Sequence, residues 1–440
     1  MRFRRFATLA AVTFGFALLA AWPARAGEGA RTLARTEDAI VVEGGQLPAA
    51  LGWEIGQTRL FAFRNGRAEA IPFQIDQRDD KGEYYLPFGP GKRDGDGLVK
   101  KRDQLVFMAA DAGDRGERDG LPPGFDRALE LAVADSLDGG RAWVCLVHYP
   151  NVAPPLSTAV YARYDNATTT IDTTRYAMSF HQKAKIAIGR LLLKPAGGGS
   201  NQNLVDRLKI RFTATIVGVG MKVGCNEEDF ISRTVGWING PVRVVRHTVN
   251  QVQLWKLKTP KAYMDNVYYA NAFEFPTVVE MPFRSDLLIS EAHFRVSSDG
   301  LCKALPRMFY NSNNRQGVKI DGVWTEEKAQ LDKRPYTWSV VTDSPETKGA
   351  WMNRLIYDAT ATPVRPYLYF NDNRDAHDDP EDEPGECGDV GYTLENVGQL
   401  KKDKLYLKSI MYNIPDFQLD RVQQYMNILD KPLTVTAAEI

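Results

Sequence analysis

The sequence predicts an all-β protein: a small N-terminal β-sandwich followed by a larger antiparallel β-sandwich with a short C-terminal helix. Three observations lead there. Short runs of alternating β-branched and aromatic residues recur along the chain, and Gly, Asp, Asn and Pro separate them at intervals suited to a sandwich. Helical periodicity is scarce, with one good stretch near the C-terminus. A hydrophobic content of 44% over 440 residues supplies two ordinary cores and argues against extensive disorder.

The chain opens on Arg2, Arg4 and Arg5, an apolar run over 7–21, and Ala24-Arg25-Ala26. A charged start, a short apolar middle and small residues at a cleavage site form an export signal over residues 1–26. The apolar run is shorter than the roughly 20 residues of a membrane-spanning helix. A periplasmic or secreted protein with no membrane span is therefore expected. Within 27–149, Ala39-Ile40-Val41-Val42, Arg59-Leu60-Phe61-Ala62-Phe63, Gln104-Leu105-Val106-Phe107-Met108 and Leu129-Glu130-Leu131-Ala132-Val133 read as strands. Asn65-Gly66 is a two-residue hairpin signal, because both turn positions accept positive φ. Pro150, Pro154 and Pro155 then break the pattern, since proline fixes φ and supplies no ladder donor.

The larger domain is expected over 153–440, with strand patterns at 209–217, 242–249, 266–275, 367–370 and 405–412. Gly197-Gly198-Gly199-Ser200 is a flexible loop inside it. Leu419, Val422, Met426 and Leu429 recur at helical spacing, with Asp416 placed to cap the helix and Pro432 to stop it.

The whole chain balances 55 basic against 55 acidic residues; without residues 1–26, which hold four arginines and no acid, 51 face 55, a formal charge of −4. Such a mildly acidic protein offers no global electrostatic case for nucleic acid or an anionic membrane. Four cysteines remain: Cys145 in an apolar strand pattern, which suits a buried thiol, and Cys225, Cys302 and Cys387 beside Gly, Asp or Asn. Cys302–Cys387 is the leading disulfide pair, since both flank glycine-rich polar loops. No C-x-x-C or C-x-x-C-H spacing occurs, and the Gly-x-Gly steps precede no helix, so haem, zinc and nucleotide motifs are all without support.

Asn239-Gly240-Pro241-Val242-Arg243-Val244-Val245-Arg246-His247 resembles a central strand of galactose-mutarotase-like β-sandwich domains, found in polysaccharide lyases and glycosidases. That resemblance implies a glycan-related role for the larger domain. Ile71-Pro72-Phe73-Gln74-Ile75-Asp76, with Arg102-Asp103-Gln104-Leu105-Val106-Phe107, resembles a small N-terminal sandwich of exported bacterial proteins. It implies no particular activity.

Three candidate sites follow. On a strand, His247 shares a face with Arg243, and β-elimination of a uronic acid polymer can use an Arg to neutralise the carboxylate and a His or Tyr to take the α-proton. Trp237, Trp255, Trp324, Trp338 and Trp351 are candidates for a sugar-stacking platform. Nine carboxylates between Asp372 and Asp389 face one fixed positive charge, Arg374. Asp372, Asn373, Asp375, Asp378 and Asp379 offer hard oxygens for Ca²⁺, although the Gly and Glu of a complete EF-type loop are missing. Asp94-Gly95-Asp96-Gly97, with Asp103 nearby, is a lesser candidate.

No G-x-S-x-G elbow and no paired metal histidines occur. Two function classes are expected: an exported non-catalytic binding or surface-assembly protein that recognises glycan or another extracellular polymer, or a carbohydrate-active enzyme, foremost a polysaccharide lyase on an acidic glycan.

Overall fold

The computed structural model describes residues 29–254, 257–258, 261–280, 289–357, 364–375, 386–395, 397 and 404–440. The export signal, Trp255, Asp378 and Asp379 lie outside the described residues. Antiparallel sheets dominate, as the alternation requires. No helix among the described residues is long and apolar enough to cross a membrane.

In the small domain a three-stranded sheet (Ala39–Glu43, Gln104–Met108, Gln74–Asp76) faces a five-stranded sheet built on Arg127–Ala134, Arg141–His148 and Thr58–Arg64. Alternate residues such as Leu129, Leu131 and Val133 point into one core with Trp53, Leu60 and Phe107. Asn65 and Gly66 take φ of 51° and 74°, turning Thr58–Arg64 into Arg67–Ala70. Cys145 is a buried free thiol whose pKa burial pushes up to about 12.

The small domain is discontinuous, which departs from the expected division at 149 and 153. Thr434–Glu439, at the far end of the chain, completes its sheet by pairing with Arg127–Ala134.

In the larger domain a ten-stranded sheet forms one long wall. A four-stranded sheet (Ala162–Asp165, Thr170–Thr173, Tyr176–Phe180, Ile188–Leu193) packs Ile171, Tyr176 and Met178 against its Val244, Tyr268 and Phe273. A five-stranded sheet that includes Val205–Ile216, Ile289–Gly300 and Asp389–Glu395 packs against another part of it through Leu368, Tyr392 and Leu394.

Two local expectations change. The pattern at 266–275 is a hairpin, with Ala262–Tyr269 paired to Ala272–Glu280. Its turn carries neither Gly nor Pro and is held instead by Asn271, whose amide donates to the Glu37 carbonyl and carboxylate at 2.8 Å each. The C-terminal helix spans Val422–Asp430 behind a 3₁₀ turn, Leu419–Arg421, and buries Val422 and Tyr425. Asp416 does not cap it; its carboxylate lies 3.7 Å from Arg421.

The segments Ile71–Asp76 and Arg102–Phe107 meet the Gly240–Arg243 step where the two domains join. Gln74 Oε1 accepts the Val242 and Arg243 backbone N–H groups at 3.0 and 2.9 Å. Arg243 ion-pairs with Asp76 at 2.7 Å and donates to Gln104 at 2.7 Å and to the Tyr269 hydroxyl at 2.9 Å. Gly240 is required there, because a Cβ would collide with the Gln74 side chain.

Candidate functional site

The two faces of Arg243–Leu254 carry different chemistry. On the outer face Arg243 is only 2% exposed and fully engaged at the domain contact, so it is a structural tie and not a group aimed at substrate. Farther along that face His247 Nδ1 lies 2.6 Å from Asp265 Oδ1, and its ring stacks on Tyr263 with centroids 5.7 Å apart. Arg243 and His247 share a face, as alternation demands, but they answer to different partners.

The inner face looks into a cavity of about 740 Å³ between the sheets. That size falls within the ~300–1,000 Å³ of small-molecule sites. Phe212, Phe275, Phe294, Val296, Val341 and Met411 line it, and all are only half-buried although they point inward. An open space against carbon forgoes the dispersion contacts of a collapsed core, and an apolar ligand would restore them.

One part of the wall is polar. Cross-strand register places Ser232 beside Asn250, Thr234 beside Thr248, and Arg246 beside Asn266. Arg246, Thr248, Asn250 and Asn266 are all buried. Asn266 and Asn250 both donate to Thr248 Oγ1, at 3.4 and 3.2 Å, while Asn250 Oδ1 has no hydrogen-bond partner. Adjacent Tyr268 is fully covered; burial pushes its hydroxyl up to about 12, with Arg246 acting in the opposite direction. Burial likewise raises the Cys225 thiol to about 11.

Among the described residues lining the cavity, Asp343 is the one carboxylate and there is no histidine. Asp343 is occupied by the Ser200 N–H at 2.7 Å and the Thr347 hydroxyl at 3.2 Å. Arg307, also in the wall, donates to the carbonyls of Leu204, Leu301 and Cys387.

The tryptophans are dispersed. Trp237 packs on Phe88 and Tyr164, Trp338 is buried in the core below the C-terminal helix, and Trp351 meets Tyr176 and Phe273 in the cavity wall. Trp324 is exposed in a loop. These four candidate tryptophans therefore form no common platform.

In the acidic segment Asp372 is fully buried and faces inward. Its carboxylate accepts the Asp321 and Gly322 backbone N–H groups at 2.9 Å each and Lys328 Nζ at 2.6 Å. Asn373 Oδ1 accepts the Asp375 N–H at 3.2 Å. No group of three or more His, Cys, Asp or Glu among the described residues could hold a metal ion. Asp372 is a partner of Lys328 and not a free loop ligand, because its oxygens already meet a cation and two amides. At the lesser acidic candidate, Asp96 pairs with Lys100 at 2.6 Å, and that contact with Gln77 and Leu98 holds its carboxyl down near 2. Cys302 and Cys387 form a disulfide, with Cα atoms 4.9 Å apart.

Arg246, Thr248, Asn250 and Asn266 escaped the sequence reading. The signal was the uninterrupted polar set Arg246, Thr248, Asn250 on one parity of a strand whose other parity holds Val245 and Val249.

No protein-family model matches this chain, and no curated protein matches it. Among solved structures it is similar to an alpha-mannosidase from Enterococcus faecalis V583, at 9% identity and TM-score 0.45, covering 94% of this chain and 45% of that one. It is also similar to a protein in the glycosyl hydrolase family 38 from Enterococcus faecalis, at 10% identity and TM-score 0.41, covering 94% and 46%. The chain spans less than half the length of either.

Proposed function

We propose that this is an exported, non-catalytic binding protein that takes a small, mainly apolar molecule, or the apolar end of a longer one, between the sheets of its larger domain. The observation that carries the reading is the cavity: about 740 Å³, walled by half-covered aromatic and aliphatic side chains, with one buried polar strip. An apolar body would be held by burial of its surface at ~25 cal/mol per Å², and the strip would orient it. The single, already occupied carboxylate and the absence of histidine among the described lining residues favour binding over acid–base chemistry. An exposed sugar platform has no counterpart in the dispersed tryptophans.

Fluorescence titration of the full chain with N-phenylnaphthylamine, a neutral apolar dye, tests this. Saturable binding is expected, and Val296→Trp or Val341→Trp should abolish it while the circular dichroism spectrum is kept. Dye binding untouched by both fillings would overturn the proposal.

A lyase reading keeps one specific support, the His247–Asp265 pair stacked on Tyr263, which is 58% exposed. A carboxylate that orients an imidazole suits it for proton abstraction. Incubation with uronate polymers should then yield an unsaturated, ultraviolet-absorbing product that His247→Ala eliminates. No product from the wild-type chain removes this reading.

A further inference from the structure

The cavity wall contains a buried charge that the fold leaves unanswered. Arg246 is 3% exposed, with its guanidinium 4.0 Å from the Phe180 ring centre and 5.8 Å from that of Tyr164. Its Nε donates to Thr234 Oγ1 at 2.9 Å. A guanidinium carries five N–H donors, and no described carboxylate lies within ion-pair distance of this one. Burying a cation without an anion is costly. The two rings offset part of that cost across the guanidinium face, but they give its N–H edge no acceptor.

A neighbouring group points the same way. The Tyr268 hydroxyl is fully buried within reach of the Arg246 guanidinium, which can only donate to it, and no acceptor meets its own proton. A planar fork of N–H donors with a free hydroxyl proton beside it is matched by an oxyanion, which accepts from both. Beyond the polar strip of Thr248, Asn250 and Asn266 the walls are apolar, through Phe212, Phe275, Phe294, Val296 and Val341, so the rest of such a ligand is apolar too.

We propose that Arg246 receives the oxyanion head, carboxylate or phosphate, of an amphiphile whose hydrocarbon body fills the cavity. This rests on the cavity-binding reading above and adds the ligand's charge, polarity and orientation.

Competition against bound N-phenylnaphthylamine on the full chain tests it, with hexadecanoate, hexadecyl phosphate, hexadecanol and hexadecyltrimethylammonium as competitors. Charge-assisted hydrogen bonds predict that at least one of the two anions binds about tenfold to a hundredfold more tightly than the alcohol. The stronger anion identifies the head, and the ammonium compound should be the weakest competitor. Arg246→Gln should bring the anion to the alcohol's level. Arg246→Lys, which keeps the charge without the fork, should fall between.

Equal competition by all four heads on the wild-type chain, or an Arg246→Gln protein that still prefers the anion, overturns the inference while the cavity reading stands. Dye binding that ignores the cavity-filling substitutions ends both. The wild-type head series needs no variant, so a poorly folding Arg246→Gln protein does not shelter the proposal.

Discussion

Arg243 and Arg246 lie three residues apart on one strand and are almost equally buried, at 2% and 3% exposure, on opposite faces. Toward the small domain, Arg243 meets Asp76, Gln104 and Tyr269. Toward the cavity, Arg246 meets two ring faces and one threonine hydroxyl. Burial alone therefore says little about what a charged residue does. The completeness of its partners separates a charge that holds a fold together from one that waits for a ligand.

The largest effect should come from breaking the completed set. Arg243→Met leaves Asp76 buried and uncompensated, and urea unfolding should show a loss of about 3–5 kcal/mol. Adding Asp76→Leu should recover most of that loss, since replacing both members of a buried pair by apolar groups is often close to neutral. No recovery would mean that Arg243 acts through something other than its charge.

A third buried charge sharpens the contrast through pH. Asp389 sits on the sheet across the cavity, where burial and nearby Asp299 push it up to about 6. That is above the ~3.9 of an unfolded aspartate, so the folded chain holds the proton more tightly. Its contribution to stability therefore falls as pH rises from about 4 to about 6, then levels off. Asp389→Asn should gain on the wild type across that window in melting experiments, and a constant difference would contradict the assignment.

The smallest effect belongs to Arg246→Met. With no ion pair to lose, the unliganded protein should change by no more than about 1 kcal/mol in the same urea assay, since the lost ring and hydroxyl contacts oppose the relief of a desolvated charge. A loss as large as that of Arg243→Met would erase the comparison.

Much of the frame was legible along the chain. Period-two alternation located the strands at 39–42, 59–63, 104–108 and 129–133, and Asn65-Gly66 marked a real hairpin because its two φ values are local properties. What depends on distant pairing was not legible. Thr434–Glu439 joins Arg127–Ala134 some three hundred residues away, and no local pattern records that partner. The Ala270-Asn271 turn escaped because its anchor, Glu37, comes from the other end of the chain. For the same reason strand parity could place Arg243 and His247 on one face but could not show that Asp76 claims the first and Asp265 the second. The cavity exists only where two sheets stand apart, so its polar strip read as an ordinary strand.

If Arg246 anchors an amphiphile inside the sandwich, such a molecule can be located there. Crystals grown with ω-bromohexadecanoate would mark the chain's far end by the anomalous scattering of bromine. A bromine peak is expected among the apolar walls near Phe212, Phe294 and Val341, with carboxylate density against the Arg246 guanidinium. A bromine peak confined to the outer surface or to the Arg243 domain contact, with Arg246 still bare, would contradict it.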